Sequence, residues 1–269
     1  MKDGGSITPG VGVSVIMPAY NSERTIAESI CSVISQTFCD YELIVVDDNS
    51  QDSTQEIVAG LSASDKRIRF VTNSRNMGTA GSRNAGVVLA LGEWVAFLDS
   101  DDLWHPKKLE RQLEFAKQTG AAITYTATAY IDKQGRPKKY VLPAEFKLDV
   151  KNLLRRNIMT CSSVMVKKEH MQPFPQGYLH EDYATWIYIV RNVGFAYGLG
   201  EPLTMYRISD SSKSYNRLRS GMMNFNAYRH VGYSVFMAGC LSVRYAVHSV
   251  CKRLKIKFGE AAPKGEPQR

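Results

Sequence analysis

The chain has 269 residues, 44% hydrophobic and 22% charged, enough apolar side chain to bury the core of one large or two small domains. The opening stretch MKDGGSITPG lacks the apolar run of a secretory signal, and Cys31, Cys39, Cys161, Cys240 and Cys251 form no CxxC pair, so free thiols in a reducing cytosol are expected. The formal net charge is +8, but nine Lys/Arg and no Asp/Glu fall between Ser211 and Gly259, so the remainder is close to neutral and the basic pI is no argument for a nucleic-acid partner.

In chain order, VSVIMP (Val13 to Pro18) is an apolar, β-branched run closed by proline and reads as a buried strand. Ile26, Ile30, Val33 and Ile34 then recur at helical spacing, with Ser22 as a candidate N-cap. YELIVVDD (Tyr41 to Asp48) is a second strand ending in acids, DSTQEIVAGL a helix capped by Asp52, and RIRFV (Arg67 to Val71) a third strand. GTAGSRNAGVVLAL becomes helical, EWVAFLD is a fourth strand, and HPKKLERQLEFAKQTG is a helix with proline near its start and Gly120 at its end. Alternating strands and helices predict an α/β fold with a mostly parallel central sheet. Beyond residue 120 we expect two strands around the turn Asp132 to Pro137, a short helix at VKNLLRRN, a strand at SSVMVKK, a helix at HEDYATWIYIVRNVG and a last strand at LTMYR, all extending the same sheet.

Four polar clusters stand out, most of them just past predicted strand ends, where open α/β sheets bind ligands. Asp99-Ser100-Asp101 follows the fourth strand. Two carboxylates so spaced can both reach one hard cation, Mg2+ or Mn2+, whose remaining ligands would be waters and phosphate oxygens; the alternative is a solvated acidic turn. Asp47 and Asp48 end the second strand, and a carboxylate there can accept an N–H from a base edge or, alternatively, form an Asx-turn. NMGTAGSRNAG (Asn76 to Gly86) combines glycines with Arg83, a phosphate-matching fork, but is neither a Walker loop nor a G-x-G-x-x-G fingerprint; it can equally be a helix start with small residues for packing. HEDYATW places Glu181 and Asp182 at a helix start, where the dipole favours acids, or where one of them could serve as a general base.

In this order, VSVIMPAYN, QTFCDYELIVVDDNSQDST, NMGTAGSRNAG, GEWVAFLDSDDLWHP, HEDYATW and the YR at Tyr206/Arg207 make the chain resemble the inverting glycosyltransferases of family 2, of the bacterial polysaccharide type, over roughly residues 11 to 210. The resemblance implies a GT-A fold with a nucleotide-sugar-binding half (11–103) and an acceptor-binding half (104–215). It implies that Tyr20 stacks on the nucleobase, with Pro18 and Ala19 beside it, and that Asp48 reads the base N–H. Arg83 and Asn84 would approach the donor phosphates. Asp99, Ser100 and Asp101 would handle ribose and metal, with Asp101 the direct ligand. Asp182 would be the catalytic base, with Glu181, Trp186 and Trp104 on the acceptor side. The implied reaction moves a sugar from a nucleotide-diphosphate sugar, a UDP-sugar above all, to a hydroxyl of a glycan, with Mg2+ or Mn2+ as cofactor. Two other readings remain open. One is a sugar-nucleotide pyrophosphorylase, against which PAYNSERT stands where a Gly-rich basic loop belongs; the other is a silent nucleotide-sugar-binding module.

The segment 216–258 is basic. HVGYSVFMAGCLSV has no charged residue but is too short to span a bilayer about 30 Å thick. Val243, Val247, Val250 and Leu254 share one helical face, and Arg244, His248, Lys252 and Lys255 another. Such a helix reads as an interfacial anchor, placing the protein on the inner face of the cell membrane near a lipid-linked acceptor; alternatively it packs on the domain with a solvated basic face. Residues 259–269 are expected to be a disordered end.

Overall fold

The computed structural model describes residues 11–208 and 217–258. The expected disordered end, 259–269, lies outside them.

The first half alternates as expected. Strand β1 (Val13–Ala19) leads to helix α1 (Ile26–Ile34), β2 (Tyr41–Asp47) to α2 (Thr54–Ser64), β3 (Ile68–Thr72) to α3 (Gly78–Leu89), and β4 (Trp94–Phe97) follows. These four strands are parallel in the order β3-β2-β1-β4. Ser22 is not the N-cap of α1; its carbonyl instead accepts the Thr25 and Ile26 N–H groups. Asp52 accepts the Thr54 N–H and so holds the start of α2.

The short strand β5 (Leu103–Trp104) precedes α4 (Lys108–Thr119), which ends at Gly120 in the left-handed region (φ 65°). Then come β6 (Ile123–Ile131), β7 (Pro137–Leu142), β8 (Lys147–Leu148), α5 (Val150–Leu153), β9 (Val164–Lys167), α6 (Glu181–Val193) and β10 (Ala196–Arg207). These strands continue the same sheet, in the order β4-β9-β6-β10-β5, with β7 on β6 and β8 on β10. The sheet is mixed: β9 runs antiparallel to both β4 and β6, while β6 and β10 are parallel. An apolar run does not reveal its direction, so this reversal was invisible in the pattern. Strand β10 is longer than LTMYR because Gly198, Gly200 and Pro202 conceal its first half. Its pairing with β6 shifts register around Pro202, and a Cβ on Gly198 would collide with the Glu145 carbonyl.

Side-chain alternation gives the sheet two cores. Ile16, Ile44, Val46 and Phe97 face α3 and α6, whereas Val15, Met17, Leu43 and Val45 face α1 and α4. Gly86 lets α3 lie on β1, since a Cβ there would sit 2.5 Å from Ile16 Cγ2. The carboxyl ends of β1, β2 and β4 then fall in one line. Ala19 is paired with Asp47, and the Leu98 N–H donates to the Ile16 carbonyl.

Helices α7 (Arg217–His230) and α8 (Val235–Phe258) follow. α7 packs on the domain, burying Ala227 and Tyr228, with Val231 just after it, in the α6-side core. No described helix is long and apolar enough to cross a membrane.

Candidate active site

At the end of β1, Tyr20 is 48% exposed, a free aromatic face beside buried Pro18 and Ala19. The loop behind it is fixed from β2. Asn21 and Asn49 both take left-handed φ (48° and 64°), which asparagine tolerates. The Asn21 N–H donates to Ser50 Oγ at 2.9 Å, and the Gln51 N–H to Asn21 Oδ1 at 2.8 Å. The strand-end loops are thus tied together while the Tyr20 ring stays out.

The acidic turn after β4 is braced from beneath. Ser162 Oγ accepts the Asp99 N–H at 3.1 Å and donates to Asp102 Oδ2 at 2.6 Å. Asp102 is buried and also accepts the Arg207 N–H at 2.9 Å. The Arg207 guanidinium donates to the Asp101 carbonyl at 2.8 Å and to Glu28 Oε2 at 2.6 Å. With Asp102 occupied below, Asp99, Ser100 and Asp101 stay only partly buried at the mouth. Ser100 Oγ meets Ser22 Oγ at 2.8 Å, which joins this turn to the β1 loop. Burial, then the Asp99 charge, pushes the Asp101 carboxyl up to about 6.

Arg83 connects this turn to α6. Its side chain is 4% exposed, and it donates to Asp99 Oδ1 at 2.6 Å and to Glu181 Oε1 at 3.2 Å. Burial works against its charge, but Asp99, Glu181 and Asp182 outweigh that and hold it protonated. Glu181 is buried in this pairing, whereas Asp182 is a partly buried residue whose Oδ1 accepts the Tyr183 N–H at 2.7 Å. Burial pushes the Asp182 carboxyl up and the Glu181 charge adds to it, which raises its affinity for a proton. The α6 start is held by α7: His180 Nε2 lies 3.1 Å from Ser220 Oγ.

Several of the expected site residues are engaged within the fold. Asp48 is 3% exposed, and its carboxylate accepts from Asn73 Nδ2, the Met77 N–H and the Gly78 N–H, which holds the entry to α3. Asn84 is engaged on both sides of its amide with the Phe174 backbone, at 2.8 and 2.9 Å, and is not free for phosphate. Arg83 is an internal ion-pair bridge, not a phosphate fork at the surface. Trp186 is fully buried against Phe97 and Phe174, and Trp104 is buried with its indole N–H on the Ser162 carbonyl at 2.7 Å. Neither tryptophan offers surface to an acceptor. Sequence reasoning missed Asp102, Ser162 and Arg207 as organisers of the turn; the further acid directly after DSD was the only visible signal for the first.

The residues present fit a divalent cation. No group of three or more His, Cys, Asp or Glu among the described residues could hold a metal. Asp99 and Asp101 offer two carboxylates whose mutual repulsion a cation would relieve, and Mg2+ or Mn2+ commonly takes one or two carboxylates plus waters and substrate phosphates.

Comparison with known proteins bears on this arrangement. Over 245 residues the chain is 35% identical to a Bacillus subtilis (strain 168) protein named as a teichuronic acid biosynthesis glycosyltransferase, covering 90% of this chain and 97% of that one. It is 37% identical over 209 residues to an Escherichia coli UDP-Glc:alpha-D-GlcNAc-diphosphoundecaprenol beta-1,3-glucosyltransferase, covering 77% and 81%. Its GT-A fold matches that of a Pyrobaculum calidifontis mannosyltransferase solved with GDP-Man and Mn2+, with a TM-score of 0.67 at 17% identity, covering 93% and 76%. The pyrophosphorylase alternative falls away, because the model of the family "Glycosyl transferase family 2" matches residues 14–176, every element that carries Tyr20, Arg83 and the acidic turn, and the chain belongs to that family.

Proposed function

We propose that this glycosyltransferase is an inverting enzyme of polysaccharide synthesis. It moves a sugar from a UDP-sugar to a hydroxyl of a lipid-linked glycan, working as a peripheral protein on the inner face of the cell membrane. The observation that carries the reading is the gathering of Asp99 and Asp101 after β4 and Asp182 at the start of α6, with buried Arg83 pairing Asp99 to Glu181, the neighbour of Asp182. The Escherichia coli relative's name supports UDP as the carrier and a diphosphoundecaprenol-linked acceptor, and the Mn2+ of the Pyrobaculum calidifontis enzyme supports a metal.

Tyr20 stacks on the base, and Asp99 and Ser100 face the ribose. Asp101, with Asp99, would hold Mg2+ or Mn2+, which would offset the charge gathering on the leaving diphosphate. On the opposite side of the sugar, Asp182 takes the proton of the acceptor hydroxyl as that oxygen bonds to the anomeric carbon and the bond to diphosphate breaks. Attack opposite the leaving group inverts the anomeric centre.

Asp101→Ala is expected to abolish UDP-sugar turnover while the unfolding midpoint is retained, and excess EDTA to silence the unaltered enzyme. Full turnover in EDTA would overturn the metal assignment. In thermal unfolding with Mn2+, a UDP-sugar at about 100-fold its Kd should stabilise the protein by roughly 2.7 kcal/mol. A response to GDP-sugars alone would reassign the base.

A further inference from the structure

Helix α8 carries an apolar stripe that is exposed among the described residues. Its 24 residues extend about 36 Å. Ala238 is buried and Leu241 and Tyr245 are half-buried toward the domain. On the other side Phe236 is 82% exposed, Val243 69% and Val247 60%, with Cys240, Val250 and Leu254 also exposed. These six positions are spaced by alternating fours and threes, which keeps them within about 40° of one line along the helix. From Ala246 onward, the described side chains of α8, Ala246, Val247, Val250, Cys251 and Leu254, are all exposed.

The charge pattern selects the occupant. Arg244, Lys252, Arg253, Lys255 and Lys257 lie on α8, and no Asp or Glu does. At helical spacing Arg244 and Lys255 fall on one flank of the stripe, and Arg253 and Lys257 on the other. A second copy of α8 seated on the stripe would set basic flanks against basic flanks with no acid to answer them. An apolar seam with a basic rim on both sides matches lipid acyl chains beneath anionic headgroups.

We infer that α8 lies in the plane of an anionic lipid surface, with Phe236, Cys240, Val243, Val247, Val250 and Leu254 immersed and the basic residues at the headgroups. The inference rests on the peripheral location proposed above and names the surface that produces it. Because α7 ties α8 to the start of α6 through Ser220 and His180, docking would hold the Asp182 end of the domain at a fixed position relative to the membrane.

The test is sedimentation of the full chain with phosphatidylcholine vesicles, with and without phosphatidylglycerol, at low and high salt. Binding should require phosphatidylglycerol and weaken in salt. Val243→Glu combined with Val247→Glu, both at exposed positions, should lower that binding by at least about ten-fold, with acids replacing apolar side chains at an anionic surface. The same variant should keep its UDP-sugar-induced thermal shift, so a loss of docking is distinguishable from a failed donor assignment. Equal binding to both vesicle types, or undiminished binding by the double variant, would overturn the inference. So would a drop from dimer to monomer in analytical ultracentrifugation, which would assign the stripe to a second copy.

Discussion

Asp182→Asn is expected to cut glycosyl transfer by about 10²–10⁴-fold while leaving donor affinity unchanged, the loss typical of removing a general base. Asparagine keeps the shape and the place at the first turn of α6 but cannot take a proton. The fold already biases this carboxyl toward proton uptake through burial and through Glu181. A base must be ionised to act, so transfer by the unaltered enzyme should fall as pH drops through the raised Asp182 pKa, above the ordinary aspartate range. The residual activity of Asp182→Asn should lack that acid limb. Single-turnover rates and donor titration separate the outcomes. If donor binding weakened while the chemical step kept its rate, Asp182 would be a donor ligand.

The second large effect is on stability. Arg83→Met removes the cation between Asp99 and Glu181, leaving both carboxylates at or near the interior without that countercharge. Breaking a buried pair from one side costs about 3–5 kcal/mol. Asp99 is 30% exposed at its side chain and can rehydrate, which places the expected loss near the lower end, about 3 kcal/mol. Urea unfolding reads this directly. Adding Glu181→Gln should restore part of the loss, because the stranded charge on the α6 side disappears with its partner. An unchanged midpoint for Arg83→Met would mean that Arg83 is not the electrostatic bridge between the two halves of the site.

The periodicity of the first hundred residues reveals its elements, since strands buried on both faces leave continuous apolar runs and the helices keep a striped face. It also places Tyr20, Asp99, Asp101 and Asp182 at strand ends or a helix start, because backbone position follows from local pattern. It could not reveal what each side chain touches. Asp48, Arg83 and Asn84 are polar residues in the right loops, yet each satisfies another buried group: the α3 entry, the two acids and the Phe174 backbone. Their partners lie up to 98 residues away in sequence, beyond any local signal. Trp104 and Trp186 sit beside polar motifs but are core residues, and spacing alone does not separate an aromatic in a cleft from one in a core. The alternatives for the basic segment divide between its two helices: α7 packs on the domain, while the apolar face of α8 is exposed.

The reaction proposed for this enzyme is transfer with inversion, with Asp182 as base on the face opposite the diphosphate. Proton NMR of slow hydrolysis of an α-linked UDP-sugar by the enzyme with Mn2+ tests it most directly, with water taking the acceptor's place. The β-anomer of the free sugar is expected to appear first and only later to mutarotate to the equilibrium mixture. First appearance of the α-anomer would contradict it.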